Sequence, residues 1–169
     1  MRLFVPAVLL VSLPAAGAAQ TPEPGPRNWT LQAGVGNSFG WFGLNVEKHL
    51  TGERFSVFGG LGYSPEPDDN DEPSDASGVA VAAGVRGFTP GRKHRGFLEL
   101  SISQVAVETN CTGCARLYGP GIQAGWHYTA TGGFTLLLSA GLGFALGADE
   151  PQANVVQPMF GFGLGYTWR

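Results

Sequence analysis

The chain closes on Val155-Val-Gln-Pro-Met-Phe-Gly-Phe-Gly-Leu-Gly-Tyr-Thr-Trp-Arg169, and this stretch decides the fold. From Val156 on, bulky apolar or aromatic residues recur at every second position but one: Val156, Phe160, Phe162, Leu164, Tyr166 and Trp168. Small or polar residues fill the places between: Gln157, Gly161, Gly163, Gly165 and Thr167. A period of two is the signature of a strand, because successive side chains point to opposite faces.

Working back, seven more segments alternate in the same way. They start near Trp29, Trp41, Arg54, Ser77, Gly96, Leu117 and Gly133. In each, residues such as Leu44, Val57, Val81, Leu100, Ile122 and Leu138 occupy one face, with Gly, Ser, Ala and Gln on the other. No segment after residue 20 approaches the ~18 consecutive apolar residues of a membrane helix, and no stripe of period 3.6 stands out.

Alternation alone fits any half-buried antiparallel sheet. Three features point to a closed membrane barrel instead. The polar face is poor in charge and rich in glycine, which suits a cramped lumen better than a wet surface; charged residues make up 14% of the chain and glycines number 27, against ~25% charged in soluble domains. The connectors alternate in length: Ser64–Ala76, Thr109–Arg116 and Ala148–Asn154 are long, while Thr51–Glu53, Thr89–Arg95 and Thr129–Gly132 are shorter, as outer-membrane barrels place long loops outside and short turns in the periplasm. The first connector, "GNSFG", breaks the rule, being short where a long one is expected. Finally, Trp29, Phe55, Phe88, Phe97, Trp126, Tyr128, Phe134, Tyr166 and Trp168 fall at the short-turn ends, and Trp41, Tyr63, Tyr118, Phe144 and Phe160 towards the other rim. Such aromatic girdles form at headgroup depth.

The fold expected is therefore an eight-stranded antiparallel up-and-down transmembrane β-barrel over residues 29–169. Residues 1–19 read as a cleaved secretory signal, with Arg2, an apolar run and a small-residue end; residues 20–28 are a Pro-rich extended lead-in. The mature chain, about 150 residues, is a single-domain length. The net charge of −3 argues against a nucleic-acid binder.

The pattern resembles the small eight-stranded bacterial outer-membrane barrels, the outer membrane protein A/X-like group. The resemblance covers nearly all of the mature chain and rests on organisation, not on a diagnostic motif. It implies a location in the bacterial outer membrane with the amino terminus periplasmic, contact with outer-membrane lipid, and insertion by the barrel-assembly machinery. The last strand, "FGFGLGYTW", is similar to the family's assembly signal, except that Arg169 follows the final aromatic Trp168.

Inside the barrel the alternation places Arg86, Glu47, Glu99, Gln123 and His127, with Asn45 and Gln32. Unpaired charge there is costly, so the expected arrangement is a hydrogen-bonded plug in which Arg86 pairs with Glu99 on the next strand, and with Glu47. A proton or ion path through the inward glycines is the alternative. An enzyme that modifies lipid A would need a Ser nucleophile, a His base and an acid in reach; the hydroxyl near a strand histidine is Thr129, beside His127, and no Ser adjoins it. No cofactor, metal or catalytic residue is assigned. Cys111 and Cys114, spaced Cys-x-x-Cys in a secreted chain, are read as a small disulfide pinning the third outer loop, with redox work as the other reading. "EPDDNDE" reads as a solvated outer loop or a weak divalent-cation site, and "GRKHR" as a solvated periplasmic turn. The role expected is structural or interactive through outer loops whose partner the sequence does not name. A lipid-A-modifying enzyme, a narrow pore and a soluble barrel holding an apolar ligand are the alternatives.

Overall fold

The eight alternating segments become eight strands in a computed structural model of the chain, which describes residues 28–50, 53–64, 78–107, 116–146 and 156–168. The strands are β1 (Trp29–Gly36), β2 (Trp41–His49), β3 (Phe55–Ser64), β4 (Gly78–Phe88), β5 (His94–Val107), β6 (Arg116–Thr129), β7 (Phe134–Phe144) and β8 (Val156–Trp168). Each pairs antiparallel with its neighbours in sequence, and β1 pairs with β8, so the sheet closes as an up-and-down barrel. Closure removes the unpaired edges that an open sheet presents. The connectors β2–β3, β4–β5 and β6–β7 lie at one end, with Trp29 and Trp168, here called the turn end. The opposite end is the loop end.

The register matches the alternation. Arg86 stands opposite Glu99 between β4 and β5, and Glu99 opposite Gln123 between β5 and β6. All three are buried, as are Glu47, His127, Asn45 and Gln32. The bulky set faces away from the lumen: Ile102 is 63% exposed, Leu142 55% and Leu138 44%. The polar core and apolar exterior invert the usual soluble arrangement. A barrel of eight strands has an interior just wide enough for side chains to fill.

Three expectations need correction. Phe88 and Phe97 do not join an outer girdle; they are 7% and 5% exposed and cluster with Phe39 and Leu137 inside the barrel. The reason is parity. Phe88 lies two residues from Arg86, and Phe97 two from Glu99, so each shares the inward face of its strand. Arg95, assigned to a solvated turn, shares that parity on β5 and is 2% exposed. Finally, the short first connector forms no external loop. Residues Asn37–Phe39 make one turn of 3-10 helix that folds down into the barrel mouth, all three buried. Gly36 (φ 109°) and Gly40 (φ 61°) supply the backbone geometry at its two ends. Trp41, at φ 73°, continues the reversal, a conformation uncommon for a bulky residue.

Glycine on the inner face makes room for these rings. A Cβ at Gly34 would lie 2.8 Å from the Phe39 ring tip, and one at Gly84 would lie 2.8 Å from the Phe58 ring. Gly163 and Gly125 stand closer still beneath Phe39 and Phe97. Near the loop end a bulge shifts the β5–β6 register between Gln104 and Ala106. Beside it Val105, Leu117 and Ala145 form a small apolar cluster.

Candidate functional site: the filled lumen and its inserted turn

The middle of the lumen is organised around one guanidinium. Arg86 Nε donates to Glu99 Oε2 at 2.8 Å, and Nη1 donates to Glu47 Oε2 at 2.8 Å. Its plane rests on the Phe58 ring, 4.1 Å from the centroid, with Phe97 at 5.5 Å. Arginine suits this position because its planar fork serves two carboxylates while its face stacks on an aromatic ring. Each carboxylate has further donors. Ser56 Oγ donates to Glu47, and Glu99 Oε1 accepts from Ser38 Oγ at 2.7 Å and Gln123 Nε2 at 2.9 Å. Buried charges are tolerable only when paired and hydrogen-bonded in this way.

Towards the turn end sits a second cation. Arg95 lies 4.3 Å above the Phe88 ring, its Nη1 donates to the Glu53 carbonyl at 3.1 Å, and its Nη2 lies 3.2 Å from His127 Nδ1. Phe88 is ringed by His49, Phe97 and His127 at centroid distances of 5.9, 5.8 and 5.7 Å. Among the described residues the lumen thus holds two buried arginines, Arg86 and Arg95, against two buried carboxylates, Glu47 and Glu99. Below them Thr30 Oγ1 meets His49 Nε2 at 2.9 Å and Thr167 Oγ1 at 2.7 Å.

The inserted turn fastens the other side. Asn37 Nδ2 donates to the Gln104 carbonyl at 2.9 Å, and its Oδ1 accepts from the Phe160 amide at 3.1 Å. The Ser38 carbonyl accepts from Asn45 Nδ2 at 2.8 Å, while Ser38 Oγ also takes Gln123 Nε2 at 3.2 Å. Phe39 fills the space above the inner glycines and is fully buried. Four strands therefore converge on a three-residue turn, which joins it to the Arg86 network through Glu99.

The arrangement brings together all five residues expected in the lumen: Arg86, Glu99, Glu47, Gln123 and His127. His127 belongs to the Arg95–Phe88 group and does not bond the carboxylates directly. The sequence reading missed Ser38, Asn37, Phe39, Phe58 and Arg95. Four of the girdle residues, Trp29, Tyr166, Trp168 and Tyr128, lie on the outward face, as does Trp126; their rims are partly or well exposed. Cys111, Cys114 and the Cys-x-x-Cys disulfide reading lie outside the described residues, as do the signal segment and the acidic connector between β3 and β4.

Chemically the lumen is a plug. Among the described residues a hydroxyl meets a histidine at Thr30 and His49, and both are buried, at 0% and 3% exposure. Among the described residues no cluster of three His, Cys, Asp or Glu has metal-holding geometry. No protein-family model matches the chain, and no curated protein or solved structure gives a significant match.

Proposed function

We propose that the protein is a small outer-membrane barrel whose outward face lies in lipid, whose lumen is a structural plug, and whose role is structural or interactive through the loop-end connectors. One observation carries this reading. All eight strands turn large apolar side chains outward, from Leu31, Leu44 and Leu61 round through Val81, Leu100, Ile122, Leu142 and Leu164, each at least 40% exposed. Soluble monomers rarely expose contiguous apolar patches beyond a few hundred Å². Charged side chains on this surface, among those described, occur only at the turn-end rim, at Lys48, Glu53, Arg54, Arg92 and Lys93. No described helix is long and apolar enough to cross a membrane, and a barrel crosses with strands.

Location follows from the same reading. The amino-terminal segment directs export, the barrel-assembly machinery reads the β8 pattern, and the turn end with both barrel termini faces the periplasm. The long connectors at the loop end then face outward and carry the interaction. A lipid-A-modifying enzyme draws less support, because the Thr30–His49 pair is enclosed and lies at the turn end. A narrow pore draws less support, because Phe39, Arg86 and the adjoining Phe88 and Phe97 rings all occupy the lumen.

The test is fractionation with gel mobility. The protein should sediment with outer membranes and run faster unboiled than boiled. Recovery in the soluble periplasmic fraction, with one mobility in both conditions, would overturn the proposal.

A further inference from the structure

The two ends of the barrel carry opposite charge. At the loop end, the β3–β4 connector holds Glu66, Asp68, Asp69, Asp71, Glu72 and Asp75 and no basic residue, and the β7–β8 connector adds Asp149 and Glu150. At the turn end the balance reverses. Lys48, Arg54, Arg92 and Lys93 stand outside the lumen there, with Arg54, Arg92 and Lys93 exposed and Lys48 half-buried; they outnumber the one described carboxylate of this rim, Glu53, which is half-buried and lies 3.9 Å from the buried Arg95.

These cations stand next to aromatic side chains that continue the outward apolar face. Lys48 Nζ lies 4.5 Å above the Trp29 ring. Trp29 pairs in register with Lys48 on one side and Trp168 on the other. Beside the Arg92–Lys93 turn, His94 stacks on Trp126 at 5.5 Å and packs against Tyr128 at 4.9 Å, and the two aromatic rings stack at 6.0 Å. His94 pairs with Tyr128 across β5 and β6, so its ring points out with theirs. Apolar strand, then aromatic ring, then cation is the order met on moving from acyl chain to headgroup.

We infer that the turn-end rim binds the phosphate headgroups of anionic phospholipids. The inference rests on the membrane reading above. It adds to that reading a preference for one lipid charge, localised to one end of the barrel. Basic side chains near a membrane surface are each attracted to anionic lipid, and the attraction decays within a Debye length. At the loop end carboxylates far outnumber the one basic residue, Arg116, so the net attraction is confined to this rim.

Brominated acyl chains quench nearby tryptophan, which supplies the test. The full chain, carrying Trp41→Phe so that emission comes from Trp29, Trp126 and Trp168, is refolded into phosphatidylcholine vesicles. These contain a minor fraction of brominated phosphatidylglycerol or of brominated phosphatidylcholine. At low salt the anionic lipid should be enriched about two- to fivefold around the barrel, as judged from relative quenching. The enrichment should vanish at high salt and in the variant Lys48→Gln/Arg54→Gln/Arg92→Gln/Lys93→Gln. These four side chains lie outside the plug, and an unchanged heat-modifiable mobility verifies that the variant folds. Equal quenching by the two lipids in the parent protein overturns the inference while leaving the barrel in its membrane. Absence of quenching by either lipid overturns the membrane reading and the inference with it. An enrichment that survives the fourfold variant assigns the preference elsewhere and overturns this rim.

Discussion

Replacing Arg86 with methionine removes one cation from between two carboxylates and leaves both buried. Glu47 and Glu99 each lose a 2.8 Å charge-assisted bond, and the remaining buried cation, Arg95, is directed to Glu53 and His127. Breaking a buried pair by removing one partner costs about 3–5 kcal/mol. Urea unfolding in lipid vesicles, followed by tryptophan emission and by the unboiled gel band, measures it. With a slope of about 2 kcal/mol/M, the midpoint should fall by roughly 1.5–2.5 M. The deciding arm is the triple variant Arg86→Met/Glu47→Gln/Glu99→Gln. It has no buried charge at this level, its Gln carbonyls still accept from Ser56 and Ser38, and it should recover to within about 2 kcal/mol of the parent. Arg86→Lys should fall between, because a point charge loses both the fork and the stack on Phe58. An Arg86→Met midpoint unchanged within error, or a triple variant less stable than the single one, would refute the claim that the network exists to balance charge.

Further expectations bear on the inserted turn. Ser38→Ala removes a donor to a buried carboxylate and should lower stability by about 1.5–3 kcal/mol in the same titration; a loss below half a unit would mean that Ser38 is dispensable to the network. Gly163→Val drives a side chain into the Phe39 ring and should cost about 1–3 kcal/mol. Combined with Phe39→Ala the cost should be less than the sum, and strict additivity would show that the two sites do not touch. In planar bilayers the protein should pass no resolvable current. A variant with Gly36–Gly40 replaced by Asn-Gly should stay silent too, since Arg86, Phe88 and Phe97 close the lumen below; steady conductance in either would contradict a filled interior.

The strands were legible because lumen and exterior differ so sharply. Gly161, Gly163 and Gly165 against Phe162, Leu164 and Tyr166 admit one pleat, and a slip of one residue would turn every apolar side chain inward. The Arg86–Glu99 pair was legible for the same reason, since both residues carry the inward parity of adjacent segments near the same end. By chemical type alone Phe88 and Phe97 read as girdle residues and Arg95 as part of a solvated turn. Counting by twos from Arg86 and from Glu99 puts all three inside. The inserted turn left a fainter trace. "GNSFG" was visibly too short for an outer loop, and its flanking glycines permit a left-handed turn. That Ser38 reaches Glu99 and Gln123, however, depends on contacts between residues 61 and 85 positions apart, which no local pattern encodes.

The most direct test of the account asks what touches the outward face at mid-strand. With Cys111 and Cys114 changed to serine, a nitroxide at Leu100 or Leu138 in lipid vesicles should show high accessibility to oxygen and low accessibility to a water-soluble nickel complex. Ready collision with the nickel complex at both positions would place that face in water and contradict the account.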